Sequence, residues 1–485
     1  MLFNSYEFIF AFLPITFFIY FYLNHKRLTE ASKGFLVFSS LFFYSWWNPI
    51  YLPIILVSMI FNYGIGEVFT KDSFKRVSKK SVLWFAILSN ILLLSYFKYM
   101  DFFISNINFI TGENIGLYHL ALPLGISFFT FQQISYLVDS YKGETKEYDF
   151  LNYALFVTFF PQLIAGPIVH HKEMMPQFAK TRNKVKNYRN IAIGLFIFSI
   201  GLFKKVVIAD TFAVWATQGF DVATTLNLFE AWAASLSYTF QLYFDFSGYT
   251  DMAIGAALLF NIKLPINFNS PYKALSIQDF WRRWHITLSR FLKDYIYIPL
   301  GGNRKGEFRT YTNLIVTFII GGLWHGAGWT FVFWGFLHGF ALVVHRAWSK
   351  LDFKLWTWLA WFITFNFINI AWVFFRAKGW DDAIKVLGSM FSLDYIVLPN
   401  MLESRLPFLL NYGIEFGRFL SNISAGKDLV FWMLIAFILI LFFKNSTNNI
   451  QSIKLKYKTA LLTAGMLVYS FLSMYKPSEF LYFNF

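Results

Sequence analysis

The chain has 485 residues, of which 57% are hydrophobic, 22% aromatic and only 14% charged, with a formal net charge of +15 and no cysteine. That composition lies outside the range of a water-soluble domain and describes a polytopic membrane protein. The missing thiols exclude disulfides, thiolate nucleophiles, iron–sulfur ligation and cysteine-bearing zinc sites. The positive charge falls in short loops between apolar runs rather than on one soluble face, so it reads as positive-inside bias, and no nucleic-acid partner is expected.

Apolar runs lie at residues 8–23, 35–65, 82–97, 120–138, 151–169, 191–208, 228–246, 314–344, 355–375, 429–443 and 460–474. Most can cross a bilayer once tilt is allowed, and Pro49 splits the second run into two passes. The first run lacks the basic start and the cleavage site of a removable signal, so it is expected to be a retained helix. Basic loops at 25–33, 71–80, 142–146, 172–189, 273–309, 346–354 and 444–458 are assigned to the cytoplasm. That assignment sets the Met1 end, the evenly charged segment 376–427 and the tail 476–485 outside. Segments 151–169 and 312–344 have room for re-entrant turns, so the number of crossings stays open. No internal repeat, phosphate-binding glycine loop, dinucleotide fingerprint or His-Glu-x-x-His motif is present. The adjacent His170 and His171, near Glu173, read as solvated loop residues, and no metal is expected.

Two histidines carry the strongest chemical signal: His285 in Trp281-Arg-Arg-Trp-His-Ile-Thr-Leu-Ser289 and His325 in Gly321-Gly-Leu-Trp-His-Gly-Ala-Gly-Trp329. Imidazoles in a hydrophobic setting suit acid/base or acyl-handling chemistry, because their charge changes near neutral pH. On a 3.6-residue period, 279–292 predicts one interfacial amphipathic helix, with Trp281, His285, Leu288, Ser289 and Leu292 on the inner face and Arg283, Arg290 and Lys293 on the other. The bland alternative is a buried histidine bonded to a carbonyl. Around His325 the glycines weaken continuous helix and allow close backbone approach, where a polar channel narrows or a helix contact forms. Asp245 and Asp251 lie in the apolar stretch 242–254, and each must be paired, protonated or wet. Their support role is either to hold a histidine tautomer or to form an ion pair with Arg282, Arg283 or Arg304.

The segment Pro265-Ile-Asn-Phe-Asn-Ser-Pro-Tyr-Lys-Ala-Leu-Ser-Ile-Gln-Asp-Phe-Trp-Arg-Arg-Trp-His-Ile-Thr-Leu-Ser-Arg-Phe-Leu-Lys-Asp-Tyr-Ile-Tyr-Ile-Pro-Leu-Gly-Gly-Asn-Arg304, followed by Gly321-Gly-Leu-Trp-His-Gly-Ala327, resembles the membrane-bound O-acyltransferase (MBOAT) family. Phe160-Pro-Gln-Leu-Ile-Ala-Gly-Pro-Ile168, Phe131-Gln-Gln-Ile-Ser-Tyr-Leu-Val-Asp139 and Met1-Leu-Phe-Asn-Ser5 fit its bacterial alginate O-acetylation branch. The resemblance implies an all-α polytopic fold, a ring of transmembrane helices around a central tunnel with re-entrant and interfacial helices. It places the principal catalytic histidine on His325 and the second on His285. It further implies acetyl transfer from a cytoplasmic donor, acetyl-CoA, towards an extracytoplasmic polysaccharide such as alginate or peptidoglycan, at the bacterial inner membrane, with a periplasmic SGNH-type acetyltransferase as partner.

Residues 1–475 then form the membrane domain and 476–485 the outer tail. The tail's Phe480-Leu-Tyr-Phe-Asn-Phe485 resembles a C-terminal Phe-x-Tyr-x-x-Phe motif of related acylation systems, which makes the Tyr482 hydroxyl a candidate acetyl carrier. Its plain alternative is an aromatic-belt anchor. Trp281, Trp324 and Arg283 are the expected donor contacts, and Asp245, Asp251 and Asn267 the expected support. Two other functions stay open: a proton-coupled polysaccharide or small-molecule transporter, and an acyltransferase acting on a lipid or protein.

Overall fold

A computed structural model describes residues 1–70, 78–145, 149–448, 450, 453–474 and 480–481. The protein is all-α: the only strands among the described residues are Val397–Pro399 and Glu415–Gly417, paired in parallel within the segment 376–427. Among the described residues six helical stretches are long and apolar enough to cross a membrane, namely Glu7–His25, Pro49–Phe69, Lys79–Lys98, Tyr188–Val222, Trp329–Trp348 and Thr357–Arg376. The chain is therefore a multi-pass membrane protein. Its residues group into two compact units, Met1–Phe203 with Gly248–Asn267 and Asn449–Phe485, and Lys204–Ser247 with Phe268–Asn448.

In the first unit, buried amides join helices that apolar side chains alone would leave free to slide. Asn62 and Asn90 exchange side-chain hydrogen bonds at 3.1 and 2.7 Å, and Ser58 Oγ donates to Gln133 Oε1 at 2.9 Å. These bonds tie together Leu52–Thr70, Lys79–Lys98 and Ile126–Tyr141. The apolar run 151–169 is not one helix; it breaks into Phe150–Thr158 and Phe160–Leu163, with Pro161 in the first turn of the second. Gln132 and Gln162 both donate to the carbonyl of Phe156 beside the break, at 2.9 and 2.6 Å. The expectation that His170 and His171 are solvated is overturned: both are buried, and His170 Nδ1 lies 3.2 Å from Asp139 Oδ2. Asp139 is 31 residues away in sequence, so the loop's own composition could not reveal this partner.

The second unit contains the helical hairpin Glu307–His325 and Trp329–Trp348. A Cβ on Gly335 would stand 2.3 Å from the carbonyl oxygen of Phe318, so the two backbones pack closer than any larger residue allows. Beside a π-helical turn at Lys204–Ala209, Lys205 Nζ meets Asp245 Oδ1 at 2.7 Å and Asp210 Oδ1 at 2.8 Å. Asp245 is thus paired with a lysine and not with Arg282, Arg283 or Arg304, as one of the two sequence readings held. Lys205 and Asp245 are each only 3% exposed, so neither ion survives alone.

Lys205→Met should therefore destabilise the protein by about 3–5 kcal/mol, because it strands the Asp245 carboxylate. Lys205→Met combined with Asp245→Leu should recover part of that loss, as read by thermal unfolding in detergent. A double variant no more stable than the single one would show that the pair is not the source.

Candidate active site

The predicted single helix over 279–292 is two helices with a sharp turn between them. Ile277–Trp281 starts from Ser276, whose Oγ accepts from the Asp279 amide at 3.1 Å, and Ile286–Leu292 starts from His285. His285 has a left-handed backbone, φ 42°, which is uncommon for a residue with a side chain. Arg283 is held in the turn by its carbonyl, which accepts from the Asn269 amide at 2.9 Å. Trp281, Trp284 and His285 are all buried around the turn. Strained backbone of this kind collects at functional positions.

His325 is the last residue of Glu307–His325, and the backbone of Gly326 is extended. A Cβ on Gly326 would lie 2.2 Å from the Phe331 ring, so glycine is required for the chain to turn directly behind the imidazole. The expectation that this glycine-rich stretch interrupts the helix is correct for 326–328 only. Gly321 and Gly322 remain helical.

These two chain reversals bring the predicted histidines together. The ring centroids of His285 and His325 are 6.4 Å apart at an interplanar angle of 61°, and the residues are 0% and 4% exposed. Aromatic edges and faces enclose them: Phe246 lies 4.8 Å from His285, while Trp324, Trp334 and Phe375 lie 4.9, 5.2 and 5.0 Å from His325. Trp324 also reaches His285, at 6.2 Å. A setting this apolar excludes water and keeps an imidazole's lone pair from being lost to solvent.

A third histidine, which sequence reading passed over, completes the cluster. His338 is fully buried, and its Nδ1 accepts from Trp281 Nε1 at 3.2 Å. That bond leaves the proton of neutral His338 on Nε2. Among the described residues neither His338 Nε2 nor the neighbouring Trp334 Nε1 has a hydrogen-bond partner. Trp334 lies between the two histidines, 5.2 Å from His325 and 4.7 Å from His338. The available signal was spacing: 334 and 338 are one turn apart on a helix following the His325 motif.

The other sequence candidates divide. Trp281 and Trp324 belong to the cluster, Trp281 through His338 and through Trp334 at 5.9 Å. Arg283 points elsewhere: its Nε bonds Asp279 Oδ1 at 2.8 Å, and about a third of the side chain is exposed. Asp245 is committed to Lys205, although the next residue, Phe246, touches His285. Asp251 and Asn267 are buried but belong to the first unit. Tyr482 lies outside the described residues. Phe480, which opens its motif, is 1% exposed with its ring edge-on to Tyr249 at 4.4 Å. No group of three or more metal-ligating side chains occurs among the described residues.

A model of the MBOAT, or membrane-bound O-acyltransferase, family matches residues 10–379, which include both histidines. The chain belongs to this family. It is an O-acyltransferase, and membership decides against the transporter reading. Over 100% of this chain and 98% of the relative, it is 51% identical to a peptidoglycan O-acetyltransferase of Helicobacter pylori. It is 39% identical to a probable alginate O-acetylase of Azotobacter vinelandii, over 84% of this chain and 82% of that one. A teichoic acid D-alanyltransferase of Bacillus subtilis is 28% identical over 54% of this chain and 70% of its own.

Trp281→Phe keeps an aromatic side chain but removes the N–H donor to His338, leaving a buried acceptor. A loss of about 1–3 kcal/mol is expected, measured by thermal unfolding. An unchanged melting temperature would mean that the bond contributes nothing.

Proposed function

We propose that this O-acyltransferase takes acetyl from a cytoplasmic thioester donor, acetyl-CoA, and passes it across the inner membrane for O-acetylation of an extracytoplasmic polysaccharide. The observation that carries the reading is the water-excluded His285–His325 pair. Its support is the similarity to polysaccharide O-acetyltransferases over most of the chain. Peptidoglycan is the favoured polymer, because the relative named for it aligns over the full length at the higher identity.

His325 serves as general base in this proposal. It removes the proton of an acceptor hydroxyl as the oxygen attacks the thioester carbonyl; the carbon–sulfur bond then breaks and the imidazolium returns the proton to the departing thiolate. His285 is the helper on the donor side, with Trp281 and Trp324 as the apolar walls of the donor path. Arg283, on the exposed side of its turn, suits the donor's phosphates. Asp245 acts at a distance, by fixing with Lys205 the helix that carries Phe246. Asp251 and Asn267 are proposed as structural support.

The first acceptor hydroxyl is proposed to be that of Tyr482, in a tail outside the membrane domain, from which an SGNH-type partner collects the acetyl group. Phe480, which opens the motif, is buried against Tyr249.

Detergent-purified protein supplied with labelled acetyl-CoA should become labelled or label its partner, and His325→Ala should reduce this by at least a thousandfold, within the range of losses seen when a catalytic base is removed. Full transfer by that variant would remove His325 from the chemistry. Tyr482→Phe should fold and bind acetyl-CoA normally while polymer O-acetylation in cells falls to background. Normal acetylation there would reduce Tyr482 to an anchor.

A further inference from the structure

Within the first unit, which does not contain the histidine cluster, a cavity of about 1200 Å³ opens between the end of helix Leu13–His25 and the segment 181–188. Its wall on the helix side is apolar, with Phe18, Ile19, Phe21 and Tyr22, and its rim carries Arg27, Lys184 and Lys186. Among the described residues no aspartate or glutamate lines it. Arg27, Lys184 and Lys186 take part in none of the ion pairs found among the described residues. Lys186 Nζ instead stands 5.4 Å over the Phe18 ring. Three permanent cations thus share one rim without a counter-charge. Such a rim attracts anions.

The vertical order of these groups indicates what kind of anion. Glu7–His25 is membrane-spanning, and Arg27 comes two residues after its end, at headgroup depth. Phe18 lies seven residues earlier than His25, which at 1.5 Å per residue is about 10 Å deeper. Phe18, Ile19 and Tyr22 are exposed, so this wall opens sideways. A cationic rim above an apolar wall open to the bilayer matches a phosphate headgroup with acyl chains beneath it.

The backbone of Arg27 adds a separate observation. The helix ends in a Schellman motif: the Arg27 amide donates to the carbonyl of Asn24 and the Leu28 amide to that of Leu23, both at 3.0 Å. The left-handed position in this motif is ordinarily glycine, yet Arg27 occupies it with φ 61°. An arginine kept where glycine is unstrained implies that its side chain has a task there.

We infer that this groove is a binding site for an anionic phospholipid, its phosphate held by Arg27, Lys184 and Lys186 and its acyl chains lying against Phe18, Ile19 and Tyr22. The site is independent of the acyl-transfer chemistry. The phosphates of the acyl donor share the headgroup's chemistry, and the test separates the two.

The full chain, purified in zwitterionic nanodiscs, is titrated with palmitoyl-oleoyl phosphatidylglycerol and with phosphatidylcholine of the same chains, and retained lipid is read by native mass spectrometry. Wild type should prefer phosphatidylglycerol on the order of a hundredfold, at about fivefold per cation. The variant Arg27→Gln, Lys184→Gln, Lys186→Gln should lose that preference. Lys184→Arg with Lys186→Arg should keep it, and so should the matched control Lys454→Gln, Lys456→Gln, Lys458→Gln in another basic segment. Equal retention of both lipids by wild type, a measurement that no misfolded variant can confound, would overturn the inference. Undiminished preference in the triple glutamine variant would also overturn it, as would stoichiometric displacement of phosphatidylglycerol by coenzyme A, which would assign the groove to the donor.

Discussion

A polar group inside a bilayer has no water to fall back on, and several buried ionic and amide groups of this chain are paired under that constraint. Lys205 is held by Asp245 and Asp210, His170 by Asp139, and Asn62 by Asn90. The Lys205–Asp245, His170–Asp139 and Asn62–Asn90 contacts join elements far apart in sequence, and breaking the buried ion pair one-sidedly costs several kcal/mol, so these contacts help set where the helices lie. Apolar side chains fix a register mainly where a glycine lets two backbones approach closely, as Gly335 does against Phe318.

The histidine cluster uses the same constraint for chemistry. The chain turns at left-handed His285 and at extended Gly326, and the two imidazoles stand 6.4 Å apart beside these turns. Tryptophans then fill the space. Their rings exclude water, and the Trp281 indole fixes the tautomer of His338 by donating to Nδ1. A general base works best where its geometry is set before substrate arrives. Packing this dense leaves an imidazole little rotational freedom.

Much of this was legible in the linear chain. Apolar runs specified a polytopic helical protein, and the contexts of His285 and His325 singled out both members of the pair, because motifs that need glycine for close approach and tryptophan for walls leave a local imprint. What failed was mostly a matter of period and partner. A 3.6-residue pattern over 279–292 predicted one helix, since Trp281 and His285 are four apart. The left-handed residue that breaks it leaves no mark in hydrophobicity. His338 looked like an ordinary helical residue.

Local interactions decide whether a segment is apolar enough to be helical and where glycine or proline permits a break, so the amino-acid sequence alone determined the helical class, the membrane setting and the two histidine motifs. Partners separated by tens of residues are a property of packing. Only the tertiary structure decided that Asp245 belongs to Lys205 rather than to an arginine, that His170 is buried against Asp139, and that His338 joins the cluster through Trp281. The physical reason is that a buried charge or imidazole takes whichever complementary group the fold brings within about 3 Å, and no spacing rule along the chain encodes that proximity.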